Sequence, residues 1–403
     1  MSARPAITEL TTNTMVFRIK TLNAISHAGT SRLPQDRYQL GGDLADPDAL
    51  LVRSASLHGA VIPDSVLAVA RAGAGTNNIP IAEFSARGIP VFNTPGANAN
   101  AVKELVVAGL FLAARNIVDA AAFAHRLDGD HATMDAAVEA GKKAFVGFEL
   151  PGRTLAVVGL GAIGVEVANV AVSLGMKVLG YDPGITVQHA WQLSSSVEHV
   201  TSLPQLLKRA DLVSLHIPLV EGTRGLIGAP EFAAMKKSAV LLNFARGPIV
   251  DEAALIEALE AGQIRGYVCD FPTPTLNKRP RVVTLPHLGA STVEAEENCA
   301  VMAADELRGY LEEGTIANSV NFPAAQLPRT QGTSRLTVAN ANVPNMVGQI
   351  STILADAGLN IADLLNKSRG DLAYSLIDVD GEIPESVTTR IRSIPGVLGA
   401  RVI

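Results

Sequence analysis

The chain has 403 residues, a length that accommodates two or three domains. Its 33 Lys and Arg against 39 Asp and Glu give a formal net charge of −6, which argues against nucleic acid or an anionic membrane as the main partner. No apolar run of about 18 residues and no signal-peptide layout is present. Two scattered cysteines, Cys269 and Cys299, favour neither a disulfide framework nor a metal site. We therefore expect a soluble, cytoplasmic protein without a metal.

The first zone, from Met15 to about Pro95, alternates short apolar runs with helical patterns. Runs at 49–53, 66–71 and 88–93 are typical of strands, and the segments between them favour helices. This alternation predicts a small parallel α/β lobe. The alanine-rich segment that follows, 100–114, predicts a long buried helix leading into a second zone.

The second zone, which extends to about residue 285, repeats a strand and then a helix five times. Such a repeat predicts a doubly wound parallel sheet whose ligand binds at the carboxyl ends of the strands. In its first unit, Gly159-x-Gly161-x-x-Gly164 lies between an apolar strand and a helix at 165–174. The spacing is typical of a dinucleotide-binding turn, with a pyrophosphate at the helix N-terminus. The plain alternative is an ordinary glycine-rich turn.

A second apolar run ends in Asp182, 18 residues after Gly164. A carboxylate at this spacing holds a ribose 2′-hydroxyl and repels a 2′-phosphate, so it favours NAD over NADP. The plain alternative for Asp182 is a surface carboxylate.

The C-terminal third divides into a helix, a linker and a small unit. A helix at about 292–312 is expected to return to the first lobe, and 318–333 is rich in Pro, Gly and polar residues. Residues 334–403 follow a strand, helix, strand, strand, helix, strand order, which predicts a separate split-βαβ unit.

Three chemically active side chains follow later strands of the second zone: Arg246, Asp270 and His287. Hydride transfer at a carbon that bears oxygen needs a group that exchanges a proton, a task for which histidine is suited. It also needs a permanent cation that polarises the carbonyl and holds a carboxylate, which arginine provides. The alternatives are that Arg246 caps a strand end and that His287 is an ordinary loop histidine.

These motifs resemble the D-isomer-specific 2-hydroxyacid dehydrogenases over nearly the whole chain. The resemblance rests on the glycine turn with Asp182 and on segments 211–218, 243–251 and 286–292. It implies two doubly wound parallel lobes and a C-terminal βαββαβ domain similar to an ACT regulatory domain. The implied boundaries are 1–99 with 286–325 for the substrate lobe, 100–285 for the NAD lobe and 334–403 for the ACT-like domain. Segment 71–77 and the ACT-like tail point to members that oxidise 3-phosphoglycerate with NAD on the route to L-serine.

The resemblance also implies roles for individual residues. His287 would accept the hydroxyl proton, Arg246 would hold the carboxylate and the developing carbonyl, and Asp270 would accept the nicotinamide amide. The implied cofactor contacts are Gly159, Gly161, Ala162, Ile163, Gly164, Asp182, His216, Pro218, Thr223, Phe244, Ala245, Asp270, His287 and Gly289.

On the substrate side, the amides around Ala74 and Gly75 would cradle the carboxylate, and four cations are candidates for the phosphate. Two of these, Lys142 and Lys143, are equally well explained as a solvated face. The implied substrate contacts are Arg53, Ser54, Arg71, Ala74, Gly75, Asn98, Lys142 and Lys143.

One departure from the family pattern concerns a glutamate that usually pairs with the histidine. Segment 271–277 contains no carboxylate. A partly buried histidine without such a partner is expected to have a lowered pKa. Glu294, Glu296 and Glu297 on the following helix are candidates for a substitute.

The tail suggests regulation by L-serine, which in related enzymes binds where two ACT domains pair. The matching residues are Asn340, Asn342 and Asn360, although Asn340 replaces a histidine that is common there. The alternative is a tail that only dimerises the subunits. Either role implies a homo-oligomer, a dimer or a tetramer.

Two other functions stay open. A dehydrogenase of an unphosphorylated 2-hydroxy acid, such as glycerate or 2-hydroxyglutarate, would keep every motif but would not need Arg53 and Arg71. A non-catalytic NAD-sensing protein is favoured only by the missing glutamate.

Overall fold

The computed structural model of the protein describes residues 16–403, which form two compact units. One unit combines the described residues up to Ala97 with Glu296–Ile403, and the other is Asn98–Ala295. Two parallel sheets and one antiparallel C-terminal sheet confirm the predicted mixed α/β class. Residues 1–15, which the predicted substrate lobe includes, lie outside the described part of the chain.

The first sheet has five parallel strands in the order β2-β1-β3-β4-β5. All four residues of β3 are buried, as expected for a strand covered on both faces of a parallel sheet. Arg53 directly follows β3, and Arg71 ends β4. The elements of this sheet are β1 (Phe17–Leu22), α1 (His27–Thr30), β2 (Tyr38–Gly41), β3 (Ala49–Val52), β4 (Ala68–Arg71), α2 (Ile81–Ala86) and β5 (Val91–Phe92).

The second unit begins with the predicted long helix α3 (Ala99–Arg115), whose residues Val102, Val106 and Leu110 are buried. Two further helices, α4 (Ile117–Ala124) and α5 (His131–Gly141), follow without a single buried residue in either. The sequence patterns did not predict these two helices.

The second sheet has seven parallel strands in the order β12-β11-β10-β9-β6-β7-β8. The order reverses between β6 and β9, and ligands of doubly wound sheets bind at such a point. Two of the seven strands, β8 and β12, have three residues each and were not among the five predicted. The elements are β6 (Thr154–Val158), α6 (Ala162–Ser173), β7 (Lys177–Tyr181), α7 (Val187–Gln192), β8 (Val197–His199), α8 (Leu203–Arg209), β9 (Leu212–Leu215), α9 (Ala229–Ala234), β10 (Val240–Asn243), α10 (Glu252–Glu260), β11 (Gly266–Cys269) and β12 (Val282–Thr284).

The chain then enters helix α11 (Val293–Glu313) and the C-terminal sheet, whose strands pair antiparallel in the order β14-β15-β13-β16. The strand and helix order agrees with the βαββαβ prediction, and β14 and β16 are the edges. The elements are β13 (Thr333–Ala341), α12 (Met346–Asp356), β14 (Ile361–Arg369), β15 (Leu372–Asp380), α13 (Glu385–Arg392) and β16 (Val397–Val402).

Among residues 16–403, no single helix is long and apolar enough to cross a membrane. Only the bent pair α3 and α4 passes that test, by length and composition alone.

A buried ion pair joins the two central strands of the C-terminal sheet. Arg335 on β13 donates from Nε and Nη2 to the two carboxylate oxygens of Asp378 on β15, at 2.7 and 2.8 Å. Their side chains are 1% and 0% exposed. Burial alone would raise the pKa of Asp378, but the Arg335 guanidinium and the Thr330 amide hold this pKa below its usual range.

We predict that Asp378→Ala lowers the free energy of unfolding by about 3–5 kcal/mol, because it leaves the charge of Arg335 buried without a partner. Asp380→Ala, at an exposed position of the same strand, is the matched control. Urea denaturation followed by circular dichroism measures both variants. Equal losses of unfolding free energy in the two variants would show that the buried ion pair stabilises the protein no more than an exposed carboxylate does.

Candidate active site

The glycine turn after β6 has no space for a side chain at two of its three glycines. Gly159 has φ +91°, and a Cβ there would lie 2.5 Å from the carbonyl oxygen of His216. A Cβ on Gly164 would overlap the carbonyl of Gly159. These two glycines are therefore required by the turn itself and by the close approach of α6 to the strand.

Gly161 is different, because no heavy atom lies within 4 Å of the position that its Cβ would take. It is the N-cap of α6, and the amides of Ala162 and Ile163 in the first turn have no intrahelical acceptor. Open space beside free amides at a helix N-terminus fits a pyrophosphate.

Asp182, at the carboxyl end of β7, is held beside this turn. Its Oδ2 accepts the amide of Leu160 at 2.8 Å, and its Oδ1 accepts the amide of Gly184 at 2.8 Å. The carboxylate is therefore fixed where a ribose hydroxyl of NAD would be expected.

The segment after β9 lies against the same turn. The amide of His216 donates to the carbonyl of Val158 at 2.7 Å, and its Nε2 lies 2.8 Å from the hydroxyl of Ser214. Burial lowers the pKa of His216 to about 3, so its ring is neutral at physiological pH. Further along, the Thr223 hydroxyl donates to the carbonyl of Pro218 at 2.7 Å.

Arg246 stands on a loop that Asn243, the last residue of β10, holds in place. The buried side chain of Asn243 donates to the carbonyl of Arg246 at 2.9 Å and accepts the amide of Ala245 at 3.2 Å. Phe244 is buried, whereas the guanidinium of Arg246 is exposed. The sequence analysis included Asn243 in the motif 243–251 but gave it no role, although an asparagine at a buried strand end is a signal that the following loop needs an anchor.

Asp270, directly after β11, is 1% exposed, and its two carboxylate oxygens have no hydrogen-bond partner among the described residues. Burial raises its pKa, while the charges of His287 and Arg246 and the nearby amide of Gly289 oppose that rise. The three candidate catalytic side chains therefore form one electrostatic cluster. Buried carboxylate oxygens without a donor fit the amide of a nicotinamide.

His287 is held by its backbone and by one ring contact. Its amide donates to the carbonyl of Asp270 at 3.0 Å, its φ is +35°, and its ring centroid lies 5.0 Å from that of Phe271. A positive φ at a non-glycine residue costs free energy and is often found at functional sites. The side chain is exposed, which differs from the partly buried environment expected from the sequence.

The loop that lacks the family glutamate is tied to the first turn of α10. The hydroxyls of Thr273 and Thr275 both donate to Oε1 of Glu252. Of the three candidate substitutes, Glu296 instead pairs with Arg53. The carboxylate whose charge interacts with His287 is that of Asp270.

On the substrate side, in the other compact unit, Arg53 and Arg71 are neighbours. Nε of Arg71 donates to the carbonyl of Arg53 at 3.2 Å. Burial raises the pKa of the Cys299 thiol, and the charges of Arg71 and Arg53 both oppose that rise.

The predicted carboxylate cradle follows β4. Among the described residues the amides of Ala74 and Gly75 donate no hydrogen bond, and Asn93 Nδ2 holds the carbonyl of Ala74 at 2.5 Å. The preceding Gly73 has φ +154°, a conformation that glycine permits. Two free amides in a glycine-containing loop fit an anion.

The remaining predicted substrate contacts differ in their surroundings. Asn23 Oδ1 accepts the amide of Ser54 at 3.1 Å, which fixes the loop after Arg53. Oδ1 of Asn98 is buried without a partner. Lys142 pairs with Glu139 at 2.5 Å and Lys143 is exposed, as expected for a solvated face.

The three predicted effector residues do not meet within one chain. Asn340 is buried on β13 and Asn342 donates to the carbonyl of Gly370 at 3.0 Å. Asn360 donates to Asp380 at 2.7 Å, at the opposite end of the sheet.

Comparison with known proteins identifies the family of the chain. Residues 112–289 match the family model described as D-isomer specific 2-hydroxyacid dehydrogenase, NAD binding domain. The chain is 34% identical over 340 residues to the D-3-phosphoglycerate dehydrogenase of Haemophilus influenzae, across 82% of this chain and 79% of that protein. The chain belongs to the D-isomer specific 2-hydroxyacid dehydrogenase family. Its NAD-binding domain confirms the predicted cofactor and the predicted class of enzyme.

Two further relatives extend the comparison. The D-3-phosphoglycerate dehydrogenase of Escherichia coli K12 is 34% identical over 342 residues, across 82% of this chain and 79% of that protein. The NAD-bound 3-phosphoglycerate dehydrogenase structure from Entamoeba histolytica has a TM-score of 0.58 and 24% identity, and covers 76% of this chain and 99% of that one. The latter shows that this chain has the fold of the family.

We predict that Gly161→Ala weakens NAD binding about tenfold or more while the stability of the protein is unchanged. The methyl group meets no protein atom, and φ −75° is accessible to alanine, so only a bound cofactor would collide with it. Isothermal titration with NAD and a thermal melt give the two readings.

Gly399→Ala is the matched control, since its Cβ would also meet open space. Unchanged NAD affinity in Gly161→Ala would mean that the pyrophosphate does not lie at this turn.

Proposed function

We propose that the protein oxidises 3-phospho-D-glycerate to 3-phosphohydroxypyruvate with NAD, the first step of L-serine synthesis. The observation that carries this proposal is the cluster of Arg246, Asp270 and His287 on a sheet edge that also carries the dinucleotide turn. The choice of substrate rests on the relatives that are 34% identical to this chain, which are named D-3-phosphoglycerate dehydrogenase.

In this reaction bound NAD supplies the acceptor for the hydride that leaves C2 of the substrate. His287 takes the hydroxyl proton as the C2–O bond becomes a carbonyl, so its ring becomes positively charged. Arg246 holds the carboxylate and polarises the developing carbonyl oxygen through charge-assisted hydrogen bonds.

We further propose that Asp270 does part of the work of the missing glutamate. Its carboxylate is the negative charge that interacts with His287, and it would stabilise the positive charge that the ring gains when it takes the proton. The same carboxylate would accept the nicotinamide amide through an oxygen that has no other partner.

The phosphorylated substrate is favoured by the neighbouring guanidiniums of Arg53 and Arg71. A guanidinium forms charge-assisted, bidentate contacts with the oxygens of a phosphate. An unphosphorylated 2-hydroxy acid would not need both, which makes a glycerate or 2-hydroxyglutarate dehydrogenase the second candidate. A non-catalytic NAD sensor would need neither Arg246 nor His287.

We propose that the chain is a homo-oligomer that works in the cytoplasm. Helix α4 is apolar and has no buried residue, and Phe111, Ile117, Val118 and Val138 are each at least 40% exposed. An apolar surface of this kind is typical of a contact between copies. The free thiols of Cys269 and Cys299 are consistent with a reducing compartment.

The ACT-like domain provides a proposed route to serine sensing. Strand β14 is an exposed edge, with Asn360 just before its start and Asn342 near its end. Antiparallel pairing of two β14 edges would bring Asn360 of one copy towards Asn342 of the other. The alternative remains a tail that only assembles the subunits.

We predict that His287→Gln lowers kcat for 3-phosphoglycerate oxidation by about 10²–10⁴-fold, because the proton acceptor is lost. In the unmodified enzyme the rate should fall in acid, since a protonated imidazole cannot accept the proton. Steady-state rates from pH 5 to 9 measure both effects.

His199→Gln, on the exposed edge strand β8, is the control and should retain the activity and its pH profile. A rate that is flat down to about pH 5 would rule out His287 as the base.

We predict that L-serine at roughly millimolar concentration suppresses turnover and that Asn342→Ala abolishes the suppression without lowering the basal rate. Steady-state rates with and without serine measure the suppression in the unmodified enzyme and in Asn342→Ala. Asn100→Ala, at an exposed position, is the control and should remain suppressed. Turnover that ignores serine in the unmodified enzyme would leave the tail with an assembly role only.

A further inference from the structure

Helix α11 connects the C-terminal domain with the substrate cations. It has 21 residues, a length of about 30 Å. From Glu296 onward it belongs to the same compact unit as Arg53 and the C-terminal sheet. Its two ends make different kinds of polar contact.

The C-terminal end of α11 is capped by the C-terminal domain. The last carbonyls of a helix have no partner within the helix. Here Arg335 Nη1 donates to the carbonyl of Glu313 at 3.1 Å, Tyr374 Oη to Gly314 at 2.8 Å and Arg401 Nη1 to Leu311 at 3.2 Å. Positive charge at a helix C-terminus is also favourable for the helix dipole.

The end of α11 and the C-terminal domain are closely packed against each other. Gly314 has φ +70°, and a Cβ there would lie 3.0 Å from Leu376 and 3.1 Å from Ile403. Tyr310 and Leu311 share one buried core with Tyr374. The last turn of α11 is therefore packed against the C-terminal domain.

The other end of α11 contacts the substrate cations. Glu296 pairs with the Nη2 of Arg53, and their side chains are 40% and 42% exposed. One turn further, Ala300 packs so closely on Gly29 that a Cβ on the glycine would lie 2.5 Å away. The start of the helix is thus fixed on the lobe whose strand ends carry Arg53 and Arg71.

We propose that Glu296 is a positioning residue for Arg53 and that the C-terminal domain, as the cap of α11, sets where Glu296 stands. This inference rests on the proposed function, because it takes Arg53 to bind the substrate phosphate. Through this ion pair Glu296 orients the guanidinium of Arg53. A helix held at both ends moves as one body, so a change in the C-terminal domain reaches Arg53 through Glu296.

Kinetics of Glu296→Gln test the first half of the proposal. The KM for 3-phosphohydroxypyruvate should rise about fivefold, the size expected for a half-exposed ion pair, with kcat unchanged. The KM for hydroxypyruvate, which lacks the phosphate, should not change. Glu296→Asp should restore part of the affinity, and Glu297→Gln, at the exposed neighbouring position, should behave as the unmodified enzyme.

Tyr374→Phe tests whether the C-terminal domain sets the position of Glu296. The substitution removes only the hydroxyl that donates to the carbonyl of Gly314. The variant should raise the KM for the phosphorylated substrate and speed hydrogen exchange of the amides of α11. The double variant Tyr374→Phe with Glu296→Gln should have the same KM as Glu296→Gln alone. The ion pair through which the helix acts on Arg53 is already lost in Glu296→Gln, so the second change has nothing further to affect. If the KM increase of the double variant equals the product of the two single increases, the proposed coupling between Tyr374 and Glu296 is overturned.

If the unmodified enzyme does not turn over 3-phosphohydroxypyruvate, the proposed function falls and this inference falls with it. If it does, and Glu296→Gln and Glu297→Gln have the same KM, only the inference is overturned.

Discussion

The candidate site depends on one constraint of parallel sheets, which is that all strands end at the same edge. Strands β6, β7, β9, β10 and β11 run side by side, so the residues that follow them are neighbours although they are far apart in sequence. The glycine turn, Asp182, His216, the Asn243-anchored loop and Asp270 are brought together in this way. The free amides at the start of α6 and the unpartnered oxygens of Asp270 are both at this edge, one suited to a pyrophosphate and the other to a nicotinamide amide.

The sequence predicted those features whose physical signal is local. Three glycines at fixed spacing and a carboxylate at the end of the next strand are readable, because each serves the turn in which it lies. The three-residue strands β8 and β12 were missed, since such short runs have no periodicity to detect. The anchoring roles of Asn23, Asn93 and Asn243 were missed, because each side chain acts by holding a neighbouring loop. The pairing of Arg53 with Glu296, 243 residues apart, exists only through the fold.

The loop without the family glutamate shows how the chain accommodates that loss. Its threonines are held by Glu252, and its Phe271 ring packs beside His287, so the histidine is placed by backbone and packing contacts rather than by a carboxylate in the loop. The exposure of His287 could not be read from the sequence, because burial depends on what surrounds the strand end. The charge that remains near its ring is that of Asp270, a residue already assigned to the cofactor.

The proposed function assigns the NAD site, its Arg246, Asp270 and His287, and the cations Arg53 and Arg71 to one reaction. That reaction is the oxidation of a phosphorylated 2-hydroxy acid. The most direct test is the rate of NADH oxidation by the purified protein with 3-phosphohydroxypyruvate and, separately, with hydroxypyruvate. Turnover is expected with a kcat/KM about 100-fold higher for the phosphorylated compound, the discrimination that two charge-assisted contacts to a phosphate provide. Equal kcat/KM values would contradict the role of Arg53 and Arg71, and no turnover with either compound would contradict the assignment as a dehydrogenase of this substrate.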